Sequence, residues 1–283
     1  MVEELRRREL PVRAMVHRED ERAEALRATG AEVVAGDLTR APDVVRVLDG
    51  CGRMYFGMSV SPKYLQATVT TAAVARDYAR LEALVNMSQM TVSQMDLTST
   101  SESDQHRQQW LGEQALDWSG LPVIHLRPTV FMENPLFAVF VHRSIAEEGT
   151  IRLPFGAGRT SPVAARDVAA VVAEILADPS SHIGRTYELT GPASVGMTTM
   201  AEEFADALGR PVAYVDVSYE AWVNHDLKAL GLPDHVFHHL ATMARLHAEN
   251  RYDRRTGDIE AITGRPATGV REFVREHPEM FTT

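Results

Sequence analysis

Along the first two-thirds of the chain, short apolar runs rich in β-type residues alternate with amphipathic stretches of helical period. This alternation restricts the fold more than any other feature. It produces a parallel sheet covered by helices, because parallel neighbours need a crossover between them. The runs Pro11 to Val16, Glu32 to Ala35, Met54 to Met58, Ala83 to Met87 and Pro122 to Leu126 read as strands. Glu21 to Thr29 reads as a helix stopped by Gly30, and Pro42 to Asp49 as a helix with proline in its first turn and Gly50 after its end. Pro62 to Arg80 and Gln108 to Trp118 read as longer helices. Gln89 to Gln105 is polar and without a sustained period, so it reads as a long loop after a strand. Ligands of doubly wound sheets bind beyond the carboxyl ends of the strands, which puts that loop at the expected site.

From Phe131 onward helices are separated by Pro/Gly turns, with one β-type run at Thr186 to Thr190. Thr199 stands three residues before Glu202, a capping-box spacing, in a helix that should stop at Gly209. The expected organisation is a dinucleotide-type domain over residues 1–130 to which 163–192 returns, with 131–283 forming mainly a smaller substrate domain.

Composition narrows the function classes. With 29 Lys plus Arg against 39 Asp plus Glu the net charge is -10, which repels phosphate backbones and anionic lipid, so neither nucleic acid nor a membrane is an expected partner. No apolar run reaches the ~20 residues of a membrane helix. A single cysteine, Cys51, excludes an internal disulfide and fits a cytoplasmic setting. His235, His238 and His239 have a spacing that can present imidazoles to one metal, but no acid completes a zinc signature. They read as a solvated or pocket-lining face, and no metal is expected. Gly156-Ala157-Gly158-Arg159-Thr160-Ser161 approximates a phosphate loop, yet it lies between Pro154 and Pro162 and after the βαβ units, so it reads as a turn.

Five segments in order resemble the NmrA-like family: Pro11 to Arg18, Gly36-Asp37-Leu38, Leu126 to Asn134, Ala165 to Ala170 and Tyr187 to Pro192. That family belongs to the atypical short-chain dehydrogenase/reductases that bind NADP or NAD. The resemblance implies an α/β fold, a doubly wound parallel sheet of Rossmann type with a smaller C-terminal substrate domain. It also implies an NAD(P)-dependent oxidoreductase for a small carbonyl or quinone-like substrate. The alternative is a non-catalytic NADP-sensing regulator that binds a partner protein; a homodimer is also compatible.

The sequence departs from that family twice. Val2 to Arg8 already reads as the last turns of a helix, so strand one and its glycine-rich turn do not precede it. Losing about five buried side chains would remove on the order of 8 to 15 kcal/mol. The natural gene product is therefore expected to continue upstream of Met1; otherwise a partner or slipped pairing closes the sheet. The second departure is catalytic: where a Tyr-x-x-x-Lys pair is expected the chain has Gln105-His106-Arg107-Gln108-Gln109. His106 is the one group there able to exchange a proton near neutral pH, unless it is exposed or caps its helix.

Ser88 matches the family's strand-end serine, which can hydrogen-bond a substrate carbonyl; otherwise it satisfies loop backbone. Arg18 follows the strand that meets the adenosine ribose, where a cation favours the 2'-phosphate of NADP over NAD. Asp37 and Leu38 border adenine by resemblance, or Asp37 caps the next helix. Thr129 and Asn134 would lie near the nicotinamide, although Asn134 before Pro135 also suits a turn. Met58, with Met54, Met87, Met90 and Met95, gathers near the strand ends and is a cofactor-contact candidate or core. Asp167, in a helix first turn, reads as structural.

Overall fold

A computed structural model describes residues 1–78 and 80–282. Its elements begin with α1 (Val2–Arg7), β1 (Arg13–Val16), α2 (Glu21–Ala28), β2 (Glu32–Ala35), α3 (Ala41–Leu48), β3 (Arg53–Phe56) and α4 (Tyr64–Tyr78). They continue with β4 (Ala83–Met87), α5 (Asp104–Trp118), β5 (Val123–Pro128), β6 (Thr150–Leu153), β7 (Arg159–Thr160), β8 (Thr186–Leu189), β9 (Val195–Gly196) and β10 (Ala213–Asp216). The fold is α/β with a parallel sheet, as expected. The chain divides into two compact units.

The first unit comprises Met1–Ser88, Arg107–Leu126 and Val168–Tyr187. The strand order is β3-β4-β5-β8 in one sheet, while β1 and β2 form a separate pair. β1 runs parallel to β2 with Val16 opposite Ala35, β3 parallel to β4 with Phe56 opposite Asn86, and β4 parallel to β5 with Met87 opposite Leu126. The break falls between β1 and β3, where the resemblance places the strand ahead of β1. Burial follows pairing: Ala83, Leu84, Val85 and Asn86 in β4 are buried, whereas every residue of β1 is half-exposed. Apolar clusters in this unit gather around Phe56, Tyr64, Leu84, Leu116 and Val123, and around Val44, Val47, Leu48 and Val74.

Local signals act as written in several elements. Asp20 caps α2, its Oδ1 accepting from the N-H groups of Arg22 and Ala23 at 3.0 and 3.2 Å. Gly30 and Gly50 follow α2 and α3 with φ of 84° and 73°, a left-handed geometry that other residues adopt only with strain. β3 covers Arg53–Phe56 rather than Met54 to Met58, and the Tyr55 ring lies over Gly57 just after it: a Cβ there would lie 2.5 Å from the Tyr55 hydroxyl.

The second unit comprises Gln89–His106, Arg127–Asp167 and Glu188–Thr283. It contains a parallel pair, β6 with β10, and an antiparallel pair, β7 with β9. Its core gathers Leu136, Phe137, Ile151, Phe155, Phe204, Trp222, Phe273 and Phe281. The expected capping box does not form. The helix Met197–Leu208 starts earlier, with Gly196 as N-cap, and takes Thr199 and Glu202 into its interior. Burying Met197 and Met200 in the core, at 1% and 0% exposure, outweighs the local cap. The polar segment after β4 is also more ordered than its composition suggests: Met90–Gln94 forms a 3₁₀ turn with Met90, Thr91 and Val92 buried, and α5 begins at Asp104, four residues before the expected Gln108.

Candidate active site

In the first unit β1 runs parallel to β2, and β3, β4 and β5 run parallel to one another, so within each sheet the carboxyl ends share one edge; Arg18, Asp37 and Leu38 follow the strand ends of the β1-β2 pair, and Met58 and Ser88 those of the larger sheet. Arg18 is exposed and makes no ion pair among the described residues. Its acidic neighbours are engaged elsewhere: Glu19 pairs with Arg27 at 2.6 Å and Asp20 caps α2. The guanidinium is therefore free to meet an anion.

Asp37 Oδ1 accepts from Thr39 N-H at 2.8 Å and from the Thr39 hydroxyl at 2.7 Å. These bonds, helped by the charges of Lys63 and His17, hold its carboxyl below the ordinary carboxylate range. The Asp37 N-H in turn donates to Asp43 Oδ2 at 3.1 Å, so two carboxylates shape the turn after β2. A Cβ at Gly36 would stand 3.1 Å from Asp43 Cβ and would displace the flexible end of Met15. Leu38 and Met58 pack their side chains against the cluster around Phe56 and Tyr64. Both act first as the floor of this edge.

Ser88 is 4% exposed. Its N-H donates to Leu126 O at 2.8 Å, but its hydroxyl has no partner among the described residues. An orphaned buried hydroxyl costs about 1 to 3 kcal/mol when nothing meets it. The serine is therefore not tying down loop backbone. Two residues earlier, on the same face of β4, Asn86 Nδ2 donates to His125 Nδ1 at 3.0 Å, and His125 Nε2 donates to Asp117 Oδ1 at 2.9 Å. Asn86 Oδ1 is buried without a partner among the described residues. Sequence reasoning missed this chain of three; its members come from β4, β5 and α5, and only a polar residue inside an apolar strand run hints at it.

The second unit holds the remaining candidates. Thr129 is 4% exposed, and its hydroxyl donates to Ser161 O at 2.6 Å while its N-H donates to Leu189 O at 2.9 Å. Asn134 Oδ1 accepts from Leu136 N-H at 2.8 Å, a turn-capping bond. Asp167 receives the N-H and hydroxyl of Thr268 at 2.6 and 3.0 Å, a structural tie.

His106 is 1% exposed and sits in a reciprocal cap at the start of α5. The Ser103 hydroxyl accepts from His106 N-H, and His106 Nδ1 accepts from Ser103 N-H, both at 3.3 Å. The same hydroxyl shares a hydrogen bond with His239 Nδ1 at 2.8 Å. The two imidazoles meet edge to face, with centroids 4.7 Å apart. Burial first, then His239, pushes the His106 pKa well below its ordinary value. His106 is thus a neutral imidazole with its proton on Nε2, able to donate a hydrogen bond but carrying no surplus proton at neutral pH. His239 is buried while His235 and His238 are exposed, so the three histidines do not converge. No group of three metal-binding side chains occurs among the described residues.

A dinucleotide fits this edge in part. The free Arg18 cation suits a ribose phosphate and the orphaned Ser88 hydroxyl suits a carbonyl or carboxamide. The glycine-rich turn that cradles pyrophosphate has no counterpart in residues 1–283.

Comparison with known proteins agrees with this layout. The model of the NmrA-like family matches residues 1–275. The chain is 28% identical over 284 residues to an NAD(P)H azoreductase of Xenophilus azovorans, covering 98% of this chain and 93% of that protein. Its fold is similar to that of an NADPH-dependent quinone oxidoreductase from Escherichia coli complexed with NADPH, with a TM-score of 0.82, 22% identity, and coverage of 97% and 94% of the two chains. It is similar also to NmrA, a negative transcriptional regulator in complex with NADP, with a TM-score of 0.79, 17% identity, and coverage of 98% and 92%. Matched along nearly its whole length, the chain belongs to the NmrA-like family.

Proposed function

We propose that the chain is an NAD(P)H-dependent reductase of small carbonyl or quinone-like compounds, with NADP preferred over NAD. The observation that carries this reading is the strand-end edge of the first unit, where Ser88 keeps a buried hydroxyl without a partner and Arg18 keeps an uncommitted cation. The azoreductase relative supports it, since an azo group, like a quinone, is reduced by hydride and proton. A bound nicotinamide would supply the hydride.

The chain's own residues position and polarise. Ser88 donates to the substrate oxygen, and that hydrogen bond strengthens as negative charge develops on the oxygen. Arg18 meets the 2'-phosphate through a charge-assisted bond. His106 contributes at most a hydrogen bond from Nε2, and through Ser103 it fixes the start of α5. Asp37, Leu38 and Met58 shape the surroundings of the cofactor rather than take part in the chemistry.

NADPH titration by nicotinamide fluorescence, followed by NADPH oxidation with quinones, azo dyes and aldehydes, tests the reading. Absence of NADPH binding sinks it. Ser88→Ala is expected to lower kcat/KM about tenfold, the loss of one such donor, with NADPH binding retained. An unchanged rate removes Ser88 from the chemistry. Arg18→Glu is expected to weaken NADPH on the order of 100-fold and leave NADH nearly untouched, because only NADPH places a phosphate against the reversed charge. Equal weakening of both would refute the assignment.

The missing Tyr-x-x-x-Lys pair and the buried neutral His106 favour a second reading, a cofactor-sensing protein without catalysis. NADPH binding with no oxidation across the panel would select it.

A further inference from the structure

We infer that Asn86, held by His125 and Asp117, is a positioning residue that fixes the direction in which the Ser88 hydroxyl donates and so turns its proton toward the substrate. The inference rests on the reductase reading of this strand end and deepens it. Asn86 stands opposite His125 in the register of β4 against β5, and Asp117 comes from the last turn of α5. Asn86 and His125 are buried, whereas the Asp117 side chain is 55% exposed, so the chain of three runs from solvent into the sheet. Asn86 interrupts the apolar run Ala83 to Met87, where an aliphatic side chain would pack without needing hydrogen bonds. Its amide has a use there.

The polarity of the hydrogen bonds is set from the solvent end. A carboxylate only accepts, so Asp117 Oδ1 takes the N-H of His125 Nε2 at 2.9 Å. With the ring proton placed there, Nδ1 is a bare acceptor and takes the N-H of Asn86 Nδ2 at 3.0 Å. The amide is thereby held with its nitrogen on His125. Its Oδ1 is the end left over, buried and without a partner among the described residues. Residues two apart in a strand share a face, so the neighbours of Asn86 on its face of β4 are Leu84 and Ser88. Leu84 is apolar, and Ser88 carries the other unpartnered oxygen. The ladder continues that far, since Ser88 N-H donates to Leu126 O at 2.8 Å. Two strand residues advance about 6.7 Å, near the ~5.6 Å that two hydrogen bonds through one water span. A water there donates one proton to Asn86 Oδ1 and the other to Ser88 Oγ. Ser88 then accepts from within the sheet and keeps its own proton for the substrate oxygen. If Ser88 donated inward instead, one water proton would lack an acceptor and the substrate oxygen would lack a donor, so the outward arrangement satisfies more groups.

Two measurements on the full chain test this. Nitrogen-15 spectra of histidine-labelled native chain are expected to show the His125 proton on Nε2; a proton on Nδ1 would reverse the polarity and overturn the proposal. Asn86→Leu combined with His125→Leu removes both members of the buried hydrogen bond, which is nearly neutral for stability and avoids leaving one of them unpaired. This double variant is expected to keep the native unfolding midpoint and NADPH affinity while kcat falls about fivefold, less than the loss from Ser88→Ala itself. Added to Ser88→Ala, it is expected to cause no further loss, because it acts through that hydroxyl. An unchanged kcat, or a fivefold loss that persists in the Ser88→Ala background as a general disturbance of the fold would, overturns the assignment. A native chain that oxidises NADPH with none of the quinones, azo dyes and aldehydes fails at the reductase reading, and the inference falls with it; an active native chain indifferent to Asn86→Leu/His125→Leu fails at this inference alone.

Discussion

Lowering the pH from 7 to 5 is expected to remove about 6 kcal/mol of stability from the second unit, on the order of half the reserve of an ordinary domain. Besides His106, three of its histidines are held neutral by burial. His142, His239 and His247 are 5%, 8% and 0% exposed, and each has its pKa pushed down to about 4 from 6.5. In the unfolded chain the same groups take up protons below about pH 6.5. Between that pH and about 4 the unfolded state therefore binds more protons than the folded one, so stability falls as pH falls through the window and levels off beneath it. At pH 5 each histidine accounts for about 2 kcal/mol, 1.5 pH units at ~1.36 kcal/mol per unit.

The surroundings explain why these groups resist protonation. His247 is stacked between Phe155 and Tyr252, with centroids 4.2 and 3.8 Å away, and its Nδ1 donates to Met243 O at 2.7 Å. His142 packs on Phe281 at 4.8 Å. Urea unfolding followed across this pH range checks the expectation. His142→Leu should flatten the slope by about a third of the three-histidine total. A midpoint constant between pH 7 and pH 5 would show that the histidines titrate normally in the folded chain.

Gly158→Ala is the substitution expected to damage the fold most, by on the order of 3 kcal/mol or more. A Cβ at this position would lie 2.0 Å from His247 O and 2.8 Å from His247 C, a distance no real contact reaches. Neither side can yield at low cost. Gly158 N-H donates to Phe155 O at 2.8 Å, and the His247 backbone carries the ring held between Phe155 and Tyr252. Gly156→Ala is the matched comparison. Its surroundings are open but its φ is 52°, so only the left-handed backbone penalty of about 1 to 2 kcal/mol applies. Denaturant midpoints of the two variants separate the mechanisms; equal losses would mean that the close approach to His247 carries no weight. The Gly-Ala-Gly turn is thus built for packing, in line with its reading as a turn.

Much of the first unit could be read from its residues. Short apolar runs rich in β-type residues, alternating with amphipathic stretches, placed β1 to β5, and the sequence motifs pointed to the NmrA-like family. Both signals are local, because each depends on a side chain's position relative to its chain neighbours. Arg18 was a candidate for the same reason. Only the structure showed that Glu19 and Asp20 were engaged with Arg27 and the cap of α2, which leaves that cation free.

Other features depended on partners far away in the chain. Thr199 and Glu202 offered a valid cap, yet the burial of Met197 drew the helix start past them. His106 had the right residue type for proton exchange, but its enclosure with Ser103 and His239 makes it a neutral capping group. Asn86, His125 and Asp117 carry no motif, because what joins them is the register of β4 against β5 and the position of α5. The residues alone determined the type and order of the strands and helices and the family to which they belong, since period and turn chemistry act over a few neighbouring positions. Which histidines are neutral, which hydroxyl is orphaned and which arginine is free were decided by the tertiary structure, because desolvation and pairing depend on everything that packs around a group.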